Sequence, residues 1–194
     1  MSEPKPKTAN PHRPAVVAIS GPQGAGKSTL AGALASSGPF ARLSFAAPLR
    51  RMLAAMGVEN LEDKTSPRPA LCGKNVRQAL QTLGTAWGRG MVGDTVWTGL
   101  LLDEARPLLA SGMSVAVDDA RFRDELGALR LLAAQAGAAF LSVRVPVPPG
   151  NAWPQDDHAS EAEWPSFPVD LTLDPAPPQD WAWAVRRRLL RLRP

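Results

Sequence analysis

With 194 residues, 44% of them hydrophobic and 21% charged, the chain has enough apolar material for one full domain with a sizeable core and too little length for two. Its net charge of +4 does not describe a nucleic-acid groove, because the excess sits at the ends. Arg186, Arg187, Arg188, Arg191 and Arg193 contribute +5 and the first thirteen residues +2, which leaves residues 14–185 at −3. No apolar run approaches membrane-spanning length, residues 1–14 are polar and proline-rich with no secretory leader, and the single Cys72 cannot form an internal disulfide. A cytoplasmic protein is therefore expected, with neither a nucleic-acid polymer nor a membrane as partner. A homodimer is left open. Residues 1–13 lack apolar anchors and are expected to form a disordered tail ahead of a single domain over 14–194.

In chain order, "AVVAIS" (15–20) is a β-branched run bounded by proline and glycine, as in a buried strand. "KSTLAGALASSG" reads as a helix stopped at Gly38, and "ARLSFA" (41–46) as a second strand. "PLRRMLAAMG" opens a helix with proline and ends it at Gly57. Residues 59–73 read as loop, and "NVRQALQTLG" as a short helix with Val76, Leu80 and Leu83 on one side. "DTVWTGLLLDEARPLLASG" places Val96, Leu100 and Leu101 at helical spacing behind an Asp94 N-cap, with a kink expected at Pro107. "SVAVDD" (114–119) is a buried strand ending in two carboxylates, and Leu126, Leu129, Leu132 and Ala133 mark the core stripe of the helix that follows. "AAFLSVRV" and "VDLTL" complete five strands. The last helix turns Trp181, Val185, Leu189 and Leu190 inward and leaves its arginines outside. Strands alternating with helices predict an α/β protein whose parallel sheet is covered on both faces. Residues 146–168 hold seven prolines and glycines and read as a long lid-like connection.

The pattern G-x-x-x-x-G-K-[ST] is met by Gly21, Gly26, Lys27 and Ser28, between a predicted strand and a predicted helix. Gly21, Gly24, Ala25 and Gly26 would turn backbone N–H groups onto phosphate oxygens, and the helix N-terminus adds positive potential. Lys27 would reach the β and γ phosphates of ATP, Ser28 would ligate Mg²⁺, and Thr29 would bond the α-phosphate. Asp118, at the end of an apolar strand, fits the second magnesium anchor. Its competing use, an N-cap for the next helix, is assigned mainly to Asp119.

Arg50, Arg77, Arg89, Arg121 and Arg144 are spread over the connections between elements, and loops at the carboxyl ends of parallel strands are where ligands bind. Arginine is well suited to phosphate recognition. In the segment 73–97 the stripe of Val76, Leu80 and Leu83 leaves Arg77, Gln78 and Gln81 on the opposite face. Glutamine can read base edges, and Trp87 could stack on a base or equally pack in the core.

"GPQGAGKSTLA", "SFAAPLRRML", "VRQALQTLGTAWGR", "VAVDDARFRDE" and "DHASE", in that order, resemble the deoxynucleoside monophosphate kinases of tailed bacteriophages and prophages, over about residues 15–175. The resemblance implies a three-layer P-loop kinase fold: a five-stranded parallel sheet, a helical acceptor-binding insert over about 48–95 and a lid. It implies transfer of the ATP γ-phosphate to a deoxynucleoside monophosphate, in a host cell's cytoplasm if the gene is phage-derived. Arg50, Arg77, Gln78 and Arg89 would then belong to the acceptor site. Arg121 would touch the transferring or acceptor phosphate, and Arg144 and His158 would lie toward the lid, although "DHASE" reads equally as a loop in which Ser160 and Glu161 cap a turn. The second strand ends without a carboxylate to deprotonate a hydroxyl, which favours a phosphate acceptor; Asp118 or Asp119 could still supply a base. Another P-loop kinase acting on a hydroxyl, a P-loop ATPase without kinase activity and a relic that binds nucleotide without turnover are the alternatives.

Overall fold

A computed structural model of the chain describes residues 13–146, 164–166 and 168–192. Five strands form one sheet: β1 (Ala15–Ser20), β2 (Phe40–Leu43), β3 (Ser114–Val117), β4 (Ala139–Arg144) and β5 (Leu171–Thr172), in the order β2-β3-β1-β4-β5. Every pairing is parallel. β1 lies at the centre and is fully buried, which explains why its sequence is apolar throughout and does not alternate.

Six α-helices cover the sheet among the described residues: α1 (Lys27–Ser36), α2 (Ala47–Ala55), α3 (Val76–Gln81), α4 (Val96–Ala110), α5 (Arg123–Gln135) and α6 (Pro178–Arg191). Alternate residues of β1 point to opposite faces. Val17 and Ile19 pack with Leu30 and Leu34 of α1 and Trp181 and Val185 of α6. Val16 and Ala18 pack with Leu101 and Leu109 of α4 and Leu129 and Leu132 of α5. Three layers result. A smaller cluster of Leu53, Val58 and Val76 ties α2 to α3 within the long β2–β3 connection.

Several expectations shift. β2 starts at Phe40 and stops at Leu43, because the chain from Ser44 turns to meet Asp119. α4 has Thr95 at its N-cap position with no side-chain cap, so Asp94 does not cap it, and the helix continues through Pro107 to Ala110. Its core stripe is Trp97, Leu101, Ala105 and Leu109, while Leu100 faces outward at 46% exposure. On α6, Leu190 is also exposed, and Trp181, Ala182 and Val185 make the buried face. The short helix expected through Gly84 ends at Gln81, and from Thr82 to Val92 the chain continues as a π-helix. Long π-helices are rare because the wide turn packs its own backbone poorly. Here the side of Gly84 and Gly88 is filled by Trp97, whose Nε1 donates to the Gly84 carbonyl at 2.8 Å. No helix among the described residues is long and apolar enough to cross a membrane. Residues 1–12 of the expected tail (1–13) and most of the lid-like segment lie outside the described residues.

Candidate active site

The loop from Gly21 to Ser28 joins β1 to α1 at the carboxyl edge of the sheet. Two of its glycines are required by geometry. Gly21 has φ 141° and a Cβ there would lie 2.8 Å from the Val145 carbonyl oxygen; Gly26, at the N-cap of α1, has φ 90° and lies under the Trp181 ring. Lys27 is buried, and its Nζ donates to the carbonyls of Gly21 at 2.8 Å and Pro22 at 2.6 Å, so the ammonium spans the inside of the loop. Ser28 and Thr29 are exposed at the first turn.

On the strand next to β1, β3 ends at the carboxylates the sequence singled out. Asp118 is buried, and its Oδ2 accepts from Arg42 Nε and Nη2, both at 2.7 Å, which fixes its orientation. Asp119 does not cap α5. Its Oδ1 accepts from the Phe45 backbone N–H at 2.8 Å, and its Oδ2 from Ser44 Oγ at 2.7 Å and the Ala46 N–H at 3.0 Å, so it ties the entry of α2 to β3. Burial, and next the charge of Asp118, raise the Asp119 pKa. The cap of α5 comes from Glu125, whose Oε2 accepts from the N–H groups of Arg121 at 2.8 Å and Phe122 at 3.2 Å. Its Oε1 takes Arg89 Nη2 at 2.6 Å. Arg89 also lies over the Phe122 ring, 4.1 Å from its centroid. Glu125 thus clasps the π-helix to the β3–α5 turn.

Burial pushes Glu125 up to about 8, against the pull of the two N–H groups and Arg89. A carboxyl group whose folded pKa is raised holds a proton that the unfolded chain has lost, so this group makes stability fall as pH rises from about 4.5 to about 8 and adds no slope above. Glu125→Gln, which cannot ionise, is expected to flatten that part of the stability–pH curve in chemical denaturation. An unchanged slope would count against the buried, proton-holding carboxyl.

These parts share one cavity of about 450 Å³. Gly24, Gly26, Lys27, Ser28 and Thr29 line it from the phosphate loop, Asp118, Asp119, Arg121 and Glu125 from the end of β3, and Arg50, Lys64, Arg77, Gln81, Arg89 and Trp97 from the β2–β3 connection. Gly21 and Ala25 shape the loop from beneath and are not in the wall. Of the acceptor residues expected from sequence, Arg50, Arg77 and Arg89 line the cavity, with Arg50 also bound to Glu62 at 2.8 Å. Gln78 does not. It is spent on a capping box with Asn75 at the start of α3, and Gln81, one turn on, lines the wall in its place. Trp87 is 40% exposed and leans on Trp97, centroids 6.0 Å apart; Trp97 is the aromatic that reaches the cavity. Arg144 ends β4 beside Ser20 and is not in the wall. His158 lies outside the described residues. The sequence reading put Gln81 on the right face without assigning it to the site, and it missed Lys64 and Glu125. Only the last left a signal, an acidic residue in the first turn of a helix.

For magnesium, the donors are right in kind: the Ser28 hydroxyl and the Asp118 carboxylate are hard oxygen ligands on one cavity. No cluster of three or more His, Cys, Asp or Glu suited to a metal occurs among the described residues.

No protein-family model matches the sequence, and no curated protein does. Solved structures match in fold. A candidate kinase of Chloroflexus aurantiacus is 19% identical over 92% of this chain and 97% of its own, with a TM-score of 0.54. A sugar kinase of Janibacter sp. HTCC2649 is 16% identical over 93% and 96%, with a TM-score of 0.51. The APS kinase of Mycobacterium tuberculosis, solved with AMPPNP and APS, is 18% identical over 93% and 99%, at a TM-score of 0.46. The chain has the P-loop kinase fold: an α/β architecture on a five-stranded parallel sheet.

Proposed function

We propose that the protein transfers the γ-phosphoryl group of ATP to the phosphate of a deoxynucleoside monophosphate, giving the diphosphate and ADP. The observation that carries this reading is the continuity of the cavity, in which Lys27, Ser28 and Thr29 share one space with Arg50, Lys64, Arg77 and Arg121. A phosphoryl transfer needs little covalent chemistry from the protein and much positioning and charge stabilisation. An oxygen of the acceptor phosphate attacks the γ phosphorus, the bond to the β–γ bridging oxygen breaks, and ADP leaves carrying that charge. Lys27 and Arg121 would hold charge on the moving group, and Ser28 and Asp118 would hold magnesium, which neutralises the phosphate oxygens when bound. Arg50, Arg77 and Arg89 would hold the acceptor. The deoxynucleotide reading rests further on the "VRQALQTLGTAWGR" block, whose Arg77, Gln81 and Arg89 line the wall. We further propose that residues 14–194 act as a single domain.

A hydroxyl acceptor is the second reading, favoured by the presence of Asp119 in the cavity as a base. Against it, both Asp119 oxygens are already hydrogen-bonded to the α2 entry. A coupled assay of ADP release across deoxy- and ribonucleoside monophosphates, with sugars as hydroxyl controls, tests the choice. Turnover that depends on a deoxynucleoside monophosphate is expected. ADP release with hydroxyl compounds alone, or independent of any acceptor, would overturn the proposal.

A further inference from the structure

The stretch between α2 and α3 looks featureless in sequence, yet it is built as a brace. Asp63 Oδ1 accepts from the N–H groups of Thr65 at 3.3 Å and Ser66 at 3.1 Å, and Oδ2 pairs with Arg68 Nη2 at 3.2 Å. The same Arg68 nitrogen donates to the carbonyls of Asn60 and Asp63. Pro67 and Asn75 form an antiparallel bridge, and the Arg77 N–H donates to the Lys64 carbonyl at 3.3 Å. The hydrogen bonds from Ser66 and Thr65 hold Asp63 down at about 2, so the brace stays ionised well into the acid range.

The brace delivers Lys64, half-buried, to the cavity wall. Among the described residues its ammonium makes no hydrogen bond or ion pair. Burial first, and then the nearby charges of Arg50, Arg121 and Arg77, lower its pKa; the acidic Glu62 opposes them. The three acidic side chains in the same wall are turned elsewhere: Asp118 to Arg42, Asp119 to the entry of α2, and Glu125 to Arg89 and the α5 turn. Holding a half-buried cation beside three guanidinium groups is unfavourable for the protein alone, and becomes favourable once an anion of high charge binds among them.

We infer that Lys64 is a specificity-determining residue, which binds the terminal phosphate of the acceptor as a dianion and so excludes acceptors without one. The inference rests on the reading of the cavity as a two-substrate kinase site. It separates the roles in that site: Lys27 serves the donor, and Lys64 the acceptor. A neutral sugar or alcohol in the recess would leave the Lys64 ammonium desolvated and uncompensated, whereas a monophosphate supplies two charges at hydrogen-bonding distance.

Two measurements on the full chain test this with wild type, Lys64→Ala and Lys64→Arg. In the first, inorganic phosphate is titrated by calorimetry onto protein saturated with a non-hydrolysable ATP analogue, so that the phosphate loop is filled. Wild type is expected to bind phosphate, Lys64→Ala to bind it at least tenfold more weakly, and Lys64→Arg to recover most of the loss. Phosphate affinity equal in wild type and Lys64→Ala would overturn the inference, whatever the enzyme's acceptor proves to be. In the second, steady-state kinetics use the best deoxynucleoside monophosphate. Lys64→Ala is expected to raise the acceptor KM at least tenfold and leave the ATP KM within about twofold, with partial rescue by arginine. A change confined to the ATP KM would reassign Lys64 to the donor. A wild type that turns over no monophosphate yet binds phosphate through Lys64 would sink the proposed reaction and keep the anion site. Thermal melting guards against misfolding: removing a half-buried cation from beside like charges is expected to hold or raise the Tm of Lys64→Ala.

Discussion

Lys27→Ala is expected to lower kcat by on the order of a thousandfold, the scale seen when a pre-aimed charge-stabilising donor is removed from a transition state. The lysine sits at the inside of the phosphate loop, 9% exposed, where its Nζ holds the Gly21 and Pro22 carbonyls in an arrangement that a triphosphate would compete for. On the proposed reading, its removal deletes a positive charge that would stabilise the transferring group. The loop itself should persist, because its conformation is set by Gly21 against Val145, by Gly26 under Trp181 and by the burial of Ala25. Stopped-flow or coupled turnover assays would show the loss, and circular dichroism would show a retained fold. Near-normal turnover in a folded variant would remove Lys27 from the chemistry.

Gly88→Ala is expected to be the most damaging single-methyl change in the π-helix beside the cavity. A Cβ at Gly88 would stand 2.2 Å from Trp97 Cζ2 and 2.6 Å from its Nε1, contacts no side chain tolerates. Trp97 is buried, so the ring has to move as a body and its hydrogen bond to the Gly84 carbonyl goes with it. Overpacking of this kind costs about 1–3 kcal/mol, which for a chain of this size lowers Tm by several degrees, on the order of 2–4 °C per kcal/mol. Because Trp97 and Gly84 both line the cavity, acceptor KM should rise in parallel. Differential scanning calorimetry checks the first effect and acceptor kinetics the second. A variant as stable as wild type would mean that the π-helix does not close on Trp97 as described.

The sheet and the phosphate loop were legible because they are written in strong local signals. A β-branched run followed by glycines and a lysine admits few readings, and the strand ending in Asp118 and Asp119 announces its own place beside it. The cavity's far wall was legible only in part. Arg50, Arg77 and Arg89 could be named, but a helix wheel drawn at 3.6 residues per turn left Gln78 and Gln81 on one face without distinction, and the family resemblance chose Gln78. Local capping chemistry with Asn75 took the first and left the second to the cavity. The same wheel could not foresee that the chain from Thr82 widens into a π-helix, since that depends on Trp97 filling the space from a later helix. Lys64 was hidden because a loop's direction is set by pairwise bonds such as Asp63 with Arg68, which no periodicity encodes. Leu100 and Leu190 failed for a related reason: apolar residues at helical spacing can mark more than one stripe, and only packing chooses.

The most direct measurement is a binding competition with a two-headed ligand, adenosine joined through five phosphates to a deoxynucleoside, titrated calorimetrically onto the full chain. If the phosphate loop and the arginine-lined recess are halves of one site, the ligand binds once per chain, and both ATP and a deoxynucleoside monophosphate displace it. Displacement by ATP alone, with the monophosphate without effect at any concentration, would contradict a shared two-substrate cavity.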